Sequence, residues 1–168
     1  MSQTAQPKVA ILMGSRNDWE VMQSASSVLT QFSVDHECRA LSAHRTPEQV
    51  ATYIQDAQKR GIEVFIAAAG HAAHLAGAVA AQTTRPVLGV PIDSSALKGL
   101  DALLSTVQMP GGIPVATLAI GKPGAKNAAL HAISIRALHD ETLDSKLTEY
   151  RKEMTENVVA NSVIDPAQ

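Results

Sequence analysis

Short apolar runs alternate with segments of helical period along this chain, and that alternation constrains the fold more than any other feature. "KVAILM" (8–13) is apolar throughout, as in a strand buried on both faces. It ends in "GSRND", after which Val21, Met22, Ala25, Val28, Leu29 and Phe32 recur at helical spacing, with Asp18 placed as N-cap. "VDHECRAL" (34–41) reads as a second strand, less apolar and therefore nearer an edge. Thr46, Pro47 and Gln49 have the spacing of an N-cap, a first-turn proline and a capping-box partner. The helix they open presents Val50, Tyr53, Ile54 and Ala57 to a core and stops at Gly61.

Three more strands are expected over "EVFIAAAG" (63–70), "PVLGVP" (86–91) and "VATLAI" (115–120). Helices are expected over "HAAHLAGAVAAQ" (71–82), Gly99 to Val107 and "AKNAALHAISIRAL" (125–138). Alternation of this kind implies right-handed crossovers and a parallel sheet covered on both faces. The expected fold is α/β: a flavodoxin-like three-layer sandwich around a central parallel five-stranded sheet, with an extra C-terminal helix. Residues 1–7 read as a disordered lead-in, as does the tail "VIDPAQ", and residues 8–140 as one domain. Over 141–163, Leu143, Leu147, Tyr150, Met154 and Val158 form one narrow apolar stripe on a charged helix, which suits packing on the core or on a neighbouring subunit.

The 168 residues are 45% hydrophobic and 18% charged, enough for one well-cored domain. Aromatics make up only 3%, so that core must be built from alanine and branched aliphatics. A net charge of −2 without a basic run argues against nucleic acid and anionic membrane as partners. No apolar run approaches the roughly 20 residues of a membrane span, and no secretory leader is apparent. The single cysteine, Cys38, reads as apolar filler in a strand, and a cytoplasmic location is expected.

In an open parallel sheet, ligands bind beyond the carboxyl ends of the strands. Three loops fall at such ends: "GSRND", "SAHR" and "AGHAAH". The first offers free N–H groups and the Ser15 hydroxyl at a helix start, suited to a phosphate or to an ordinary capped turn. It is neither a Walker loop nor a GxGxxG motif, which argues against nucleotide hydrolysis and dinucleotide binding. Arg45 has the planar fork that pairs with phosphate, and His44 beside it is the side chain type that exchanges protons near neutrality. His44, His71 and His74 lack the carboxylates or cysteines that would favour a metal, so none is expected. The run "AAAGHAAHLAG" suits either close helix-sheet packing or a small apolar pocket.

Over residues 8–140 the chain resembles the N5-carboxyaminoimidazole ribonucleotide mutase family, the catalytic subunit of what was called phosphoribosylaminoimidazole carboxylase. "MGSRNDW", "SAHRTPE", "AAHLAG", "PVLGVP" and "GLDALLSTVQMPGGIPVATLAIGKPGAKNAAL" carry the resemblance, in that order. It implies transfer of a carboxyl group from the exocyclic nitrogen of a ribonucleotide to C4 of its imidazole ring, in purine biosynthesis. It also implies no cofactor, neither metal nor ATP, and a homo-octamer with sites at subunit junctions. The ATP-dependent synthetase that makes the substrate is the expected transient partner.

By the same resemblance Ser15, Asp18, Ser42 and Arg45 match ribose- and phosphate-binding positions, with Gly14 and Ala43 in the same loops. His44 matches the catalytic histidine, and His74 the loop around the reacting ring. Gly70, Ala72, Ala73 and Leu75 match the small-residue wall near the migrating carboxylate, where His71 also belongs to the substrate-binding set. Three positions depart from the pattern: His71 replaces a usual glycine, Ala76 a usual proline, and Asn17 a common serine. If residue 71 needs a positive φ, histidine is strained there. "AAHL" at 72–75 favours the mutase branch over the related carboxylase that uses free carbon dioxide. A catalytically impaired ribonucleotide-binding relative is the alternative of a different class.

Overall fold

The computed structural model describes residues 6–164. Residues 1–5 and 165–168, most of the expected lead-in and tail, lie outside the described residues. The chain divides between Ala132 and Ile133 into two compact units.

Five parallel strands form one sheet in the order β2-β1-β3-β4-β5. They are β1 (Val9–Met13), β2 (His36–Ala40), β3 (Val64–Gly70), β4 (Val87–Ile92) and β5 (Ala116–Thr117). This is the flavodoxin-like order, in which the winding reverses between β1 and β3. Helices α1 (Trp19–Gln31), α2 (Pro47–Lys59), α3 (Leu75–Ala80), α4 (Leu100–Val107) and α5 (Lys122–Ala137) connect or follow the strands. Ala10, Leu12, Phe65 and Ala67 pack with Val50, Ile54 and Ala57 of α2 and Leu75 and Val79 of α3. Alternate residues Val9, Ile11, Val64 and Ile66 point to the opposite face, and all four are fully buried. Two-sided burial is why these runs are continuously apolar.

The edge strand β2 is half-buried to exposed, as its mixed sequence suggests. Cys38 is accordingly half-buried, a departure from the expected filler role, and burial pushes its thiol up. Tyr53 of α2 donates to Glu37 Oε1 at 2.6 Å, and Arg60 donates to both Glu37 oxygens, tying the edge strand to α2. α2 ends as expected at Gly61, φ 93°, where Gly61 N–H reaches the Gln58 carbonyl and Ile62 N–H the Ala57 carbonyl.

Two elements are shorter than their sequence period implies. Of "VATLAI" only Ala116 and Thr117 pair with β4. The carbonyls of Gly89 and Pro91 accept from Leu118 and Gly121, so both residues face β5. Pro91 has no N–H to return, and the ladder stops. Helix α3 starts at Leu75, not at 71, because His71 sits at φ 54°, outside helical space.

In the second unit, α6 (Glu141–Ala160) is capped by Asp140, whose Oδ1 accepts from Thr142 and Leu143 N–H at 3.1 Å each. Its stripe grades from buried Leu143 to Met154 and Val158, 52% and 68% exposed.

Candidate active site

Four loops leave the carboxyl ends of β1 to β4 and surround a cavity of about 560 Å³. The reversal between β1 and β3 leaves room above the sheet, and a volume in the range of about 300–1,000 Å³ suits a small organic ligand.

The first loop is held by a reciprocal pair of bonds. Ser15 Oγ accepts from Asn17 N–H at 3.2 Å, and Asp18 Oδ2 accepts from Ser15 N–H at 2.9 Å. Asp18 therefore does not cap α1 as its position suggests; its carboxylate turns back to close a single 3₁₀ turn over Arg16–Asp18. Burial pushes the Asp18 carboxyl up, opposed by the Ser15 N–H and by the charges of Arg45 and His71.

The second loop closes on itself. Thr46 Oγ1 accepts from Ser42 N–H at 2.8 Å and donates to the Ser42 carbonyl at 3.0 Å. The hydroxyl is thereby used up before the helix, so the expected box with Gln49 does not form. Ser42 Oγ takes the Arg45 N–H at 3.2 Å. This tight turn holds His44 and Arg45 outward, both exposed.

Side-chain bonds then link the four loops in series. Arg45 Nη2 donates to the Gly14 carbonyl at 2.9 Å, joining the second loop to the first. His44 Nε2 and His74 Nδ1 lie 2.8 Å apart, joining the second to the third. Ser94 Oγ lies 3.2 Å from His71 Nδ1, joining the third to the fourth. Gly70 is required for that last approach, because a Cβ there would collide with the Ser94 hydroxyl.

Gly14, Ser15, Asp18, Ser42, Ala43, His44 and Arg45 all line the cavity, as do Gly70, His71, Ala72, His74 and Leu75. Ala73 does not: it is 1% exposed and faces away from the lining. Asn17, Ala69 and Ser94 line it too, outside the expected site residues. Ser94 lies two residues beyond the fourth strand, so the rule that led to three loops applied to a fourth. Among the described residues no group of three or more histidine, cysteine or acidic side chains could hold a metal ion. No helix among them is long and apolar enough to cross a membrane.

The cavity pairs one guanidinium and three imidazoles with one buried carboxylate, an arrangement suited to an anionic ligand. A family model described as AIR carboxylase matches residues 8–157. The chain belongs to the AIR carboxylase family. N5-carboxyaminoimidazole ribonucleotide mutase of Saccharolobus solfataricus is 56% identical over 154 residues, covering 92% of this chain and 96% of the relative. The proteins of that name from Bacillus subtilis and Escherichia coli are 52% and 51% identical. Their matches cover 94% and 92% of this chain, and 97% and 91% of the relatives. A crystal structure of a substituted form of Treponema denticola PurE2 superposes with a TM-score of 0.85 at 27% identity, covering 94% of this chain and 96% of that one. That of Treponema denticola PurE gives 0.84 at 28% identity, with 92% and 96% covered. This AIR carboxylase family member is thus an isomerase-type enzyme of a purine-biosynthetic mutase family.

Proposed function

We propose that this enzyme converts N5-carboxyaminoimidazole ribonucleotide to 4-carboxy-5-aminoimidazole ribonucleotide by decarboxylation and recarboxylation within one site. The observation that carries the reading is the meeting of Arg45, His44, His74 and the small wall of Gly70 and Ala72 around one cavity.

Arg45 and the Ser15 hydroxyl bind the phosphate, where a guanidinium fork and an O–H donor meet at the cavity. Asp18 and Ser42 take the ribose hydroxyls, since a carboxylate beside the phosphate would repel it. The imidazole ring then lies toward His44. The N–C bond of the carbamate breaks, its electron pair stays on the exocyclic nitrogen, and carbon dioxide is released. An apolar wall favours that step because the carboxylate charge disperses as the bond breaks. C4 attacks the retained carbon dioxide, forming the new C–C bond. His44 takes the C4 proton as the ring regains aromaticity, and a proton returns to the nitrogen. Atoms and charge balance without metal, ATP or bicarbonate.

His44, Arg45 and Ala72 are exposed on the single chain. Holding carbon dioxide therefore calls for a cover, and a second copy of the chain in a homo-octamer supplies it. The exposed end of the α6 stripe suits such a subunit contact. The ATP-dependent synthetase is the transient partner that delivers the substrate, and the cytoplasm suits the single unpaired thiol.

The deciding experiment is interconversion of the two carboxylated ribonucleotides without added bicarbonate or ATP. Turnover supports the mutase. A requirement for bicarbonate, starting from the uncarboxylated ribonucleotide, would make the enzyme a carboxylase. Binding without turnover would make it an inactive relative.

A further inference from the structure

His71 stands where a side chain is least expected. Its φ of 54° lies in the left-handed region that glycine adopts most easily, and histidine is tolerated there at some cost. The ring does not repay that cost by packing, because it is exposed at the cavity. What holds it is one hydrogen bond, between Nδ1 and Ser94 Oγ at 3.2 Å. Ser94 is in turn seated against the bare backbone of Gly70, in space that any Cβ at 70 would fill. Backbone strain kept at a ligand cavity is a pointer to function.

The nearby acids do not claim the ring. The Asp18 carboxylate accepts from Ser15 N–H, and Asp101 Oδ1 accepts from Ser95 Oγ at 2.8 Å. Nε2 of His71 has no hydrogen-bond partner among the described residues. An imidazole fixed through one nitrogen and open at the other is a directed donor once that second nitrogen carries hydrogen.

We infer that His71 is a substrate-binding residue whose Nε2 grips an anionic oxygen of the bound ribonucleotide, with Ser94 the positioning residue that sets the ring. The inference rests on the ribonucleotide reading above. The oxygen belongs either to the phosphate or to the C4 carboxylate, and the two are separable because one ligand can lack the carboxylate.

Calorimetric titration of the full chain with 5-aminoimidazole ribonucleotide and with its 4-carboxy derivative tests this, on the native protein, His71→Gly, Ser94→Ala and the double variant. His71→Gly weakens binding roughly tenfold, the scale of one hydrogen bond to a charged group. Its Tm holds or rises, because glycine relieves the backbone. Ser94→Ala weakens binding less, and the double variant binds no worse than His71→Gly, since both changes remove one device. Loss with both ligands assigns the phosphate; loss with the carboxylated ligand alone assigns the carboxylate. Unchanged affinity in His71→Gly overturns the inference while native binding upholds the ribonucleotide reading. An affinity loss matched by a fall in Tm also overturns it, by making His71 a structural support. A native chain that binds neither ligand overturns both.

Discussion

His44 Nε2 stands 2.8 Å from His74 Nδ1, with the two ring planes 79° apart. At that distance one nitrogen gives a hydrogen and the other takes it, so a single proton lies between the rings. Two protonated rings would set N–H against N–H across the same gap. With His44 Nε2–H donating to His74, Nδ1 of the same ring can take and return a proton while the contact persists, which suits the proton carrier proposed above.

His44→Asn removes that capacity while keeping a polar side chain on the same turn. The expected result is a fall in kcat of about 10²–10⁴-fold, the usual worth of a general acid-base group. KM stays within a few-fold, because Arg45, the proposed phosphate anchor, is untouched. Rates of interconversion in both directions check this, and unchanged kcat would move the proton step to another residue.

Arg45→Gln separates binding from chemistry. It removes the charge beside the first loop and weakens the bond now made to the Gly14 carbonyl. KM should rise roughly 10–100-fold, the range of a lost charge-assisted pair, with kcat little changed. The native advantage should shrink as salt is added, which initial rates at several ionic strengths will show.

Asp18→Asn should make the protein more stable and a poorer binder. Burial raises the Asp18 carboxyl above the ordinary value of 3.8, so ionisation is disfavoured in the folded state. Between 3.8 and the raised value the folded chain holds more protons than the unfolded one, so stability falls as pH rises through that window. At neutral pH the full cost is present. The asparagine variant, still able to accept from Ser15 N–H, should gain on the order of 1 kcal/mol there. The gain should vanish as pH falls well below 3.8, where aspartate is protonated in both states. Urea unfolding at several pH values measures it.

Glu37→Gln should act in the opposite sense. Arg60 and Tyr53 hold the Glu37 carboxyl below its ordinary value of 4.5. The stabilisation is complete above that value and is lost as pH falls through the lowered one. The variant should cost about 1–2 kcal/mol at neutral pH, the scale of hydrogen bonds to a charged group, moderated by partial exposure. In acid the two proteins should converge. Thermal unfolding curves at neutral and acid pH decide it.

Much of the architecture was readable in advance because it rests on local periods. Runs such as "KVAILM" are apolar on every residue because both faces of the sheet are covered, and Gly61 ends α2 through bonds to its own last turn. The loops at the strand ends followed from chain direction alone, and the motifs around Ser42, His44 and Arg45 pointed to the family that the comparison then established.

The departures all depend on contacts between residues far apart in the chain or on how a loop closes. β5 is short because Pro91, on another strand, lacks the hydrogen its neighbour needs. Thr46 turns back to Ser42 although its local sequence suits a helix cap, because the loop closes more bonds that way. Ala73 is buried while its neighbours line the cavity, and Ser94 enters the site only because Gly70 leaves space for it. By itself the sequence determined the elements, their parallel winding and the family, since those follow from periodicity and motif order. Only the tertiary structure decided which side chains meet: His44 with His74, and His71 with Ser94, 30 and 23 residues apart, come together through strand order and loop closure.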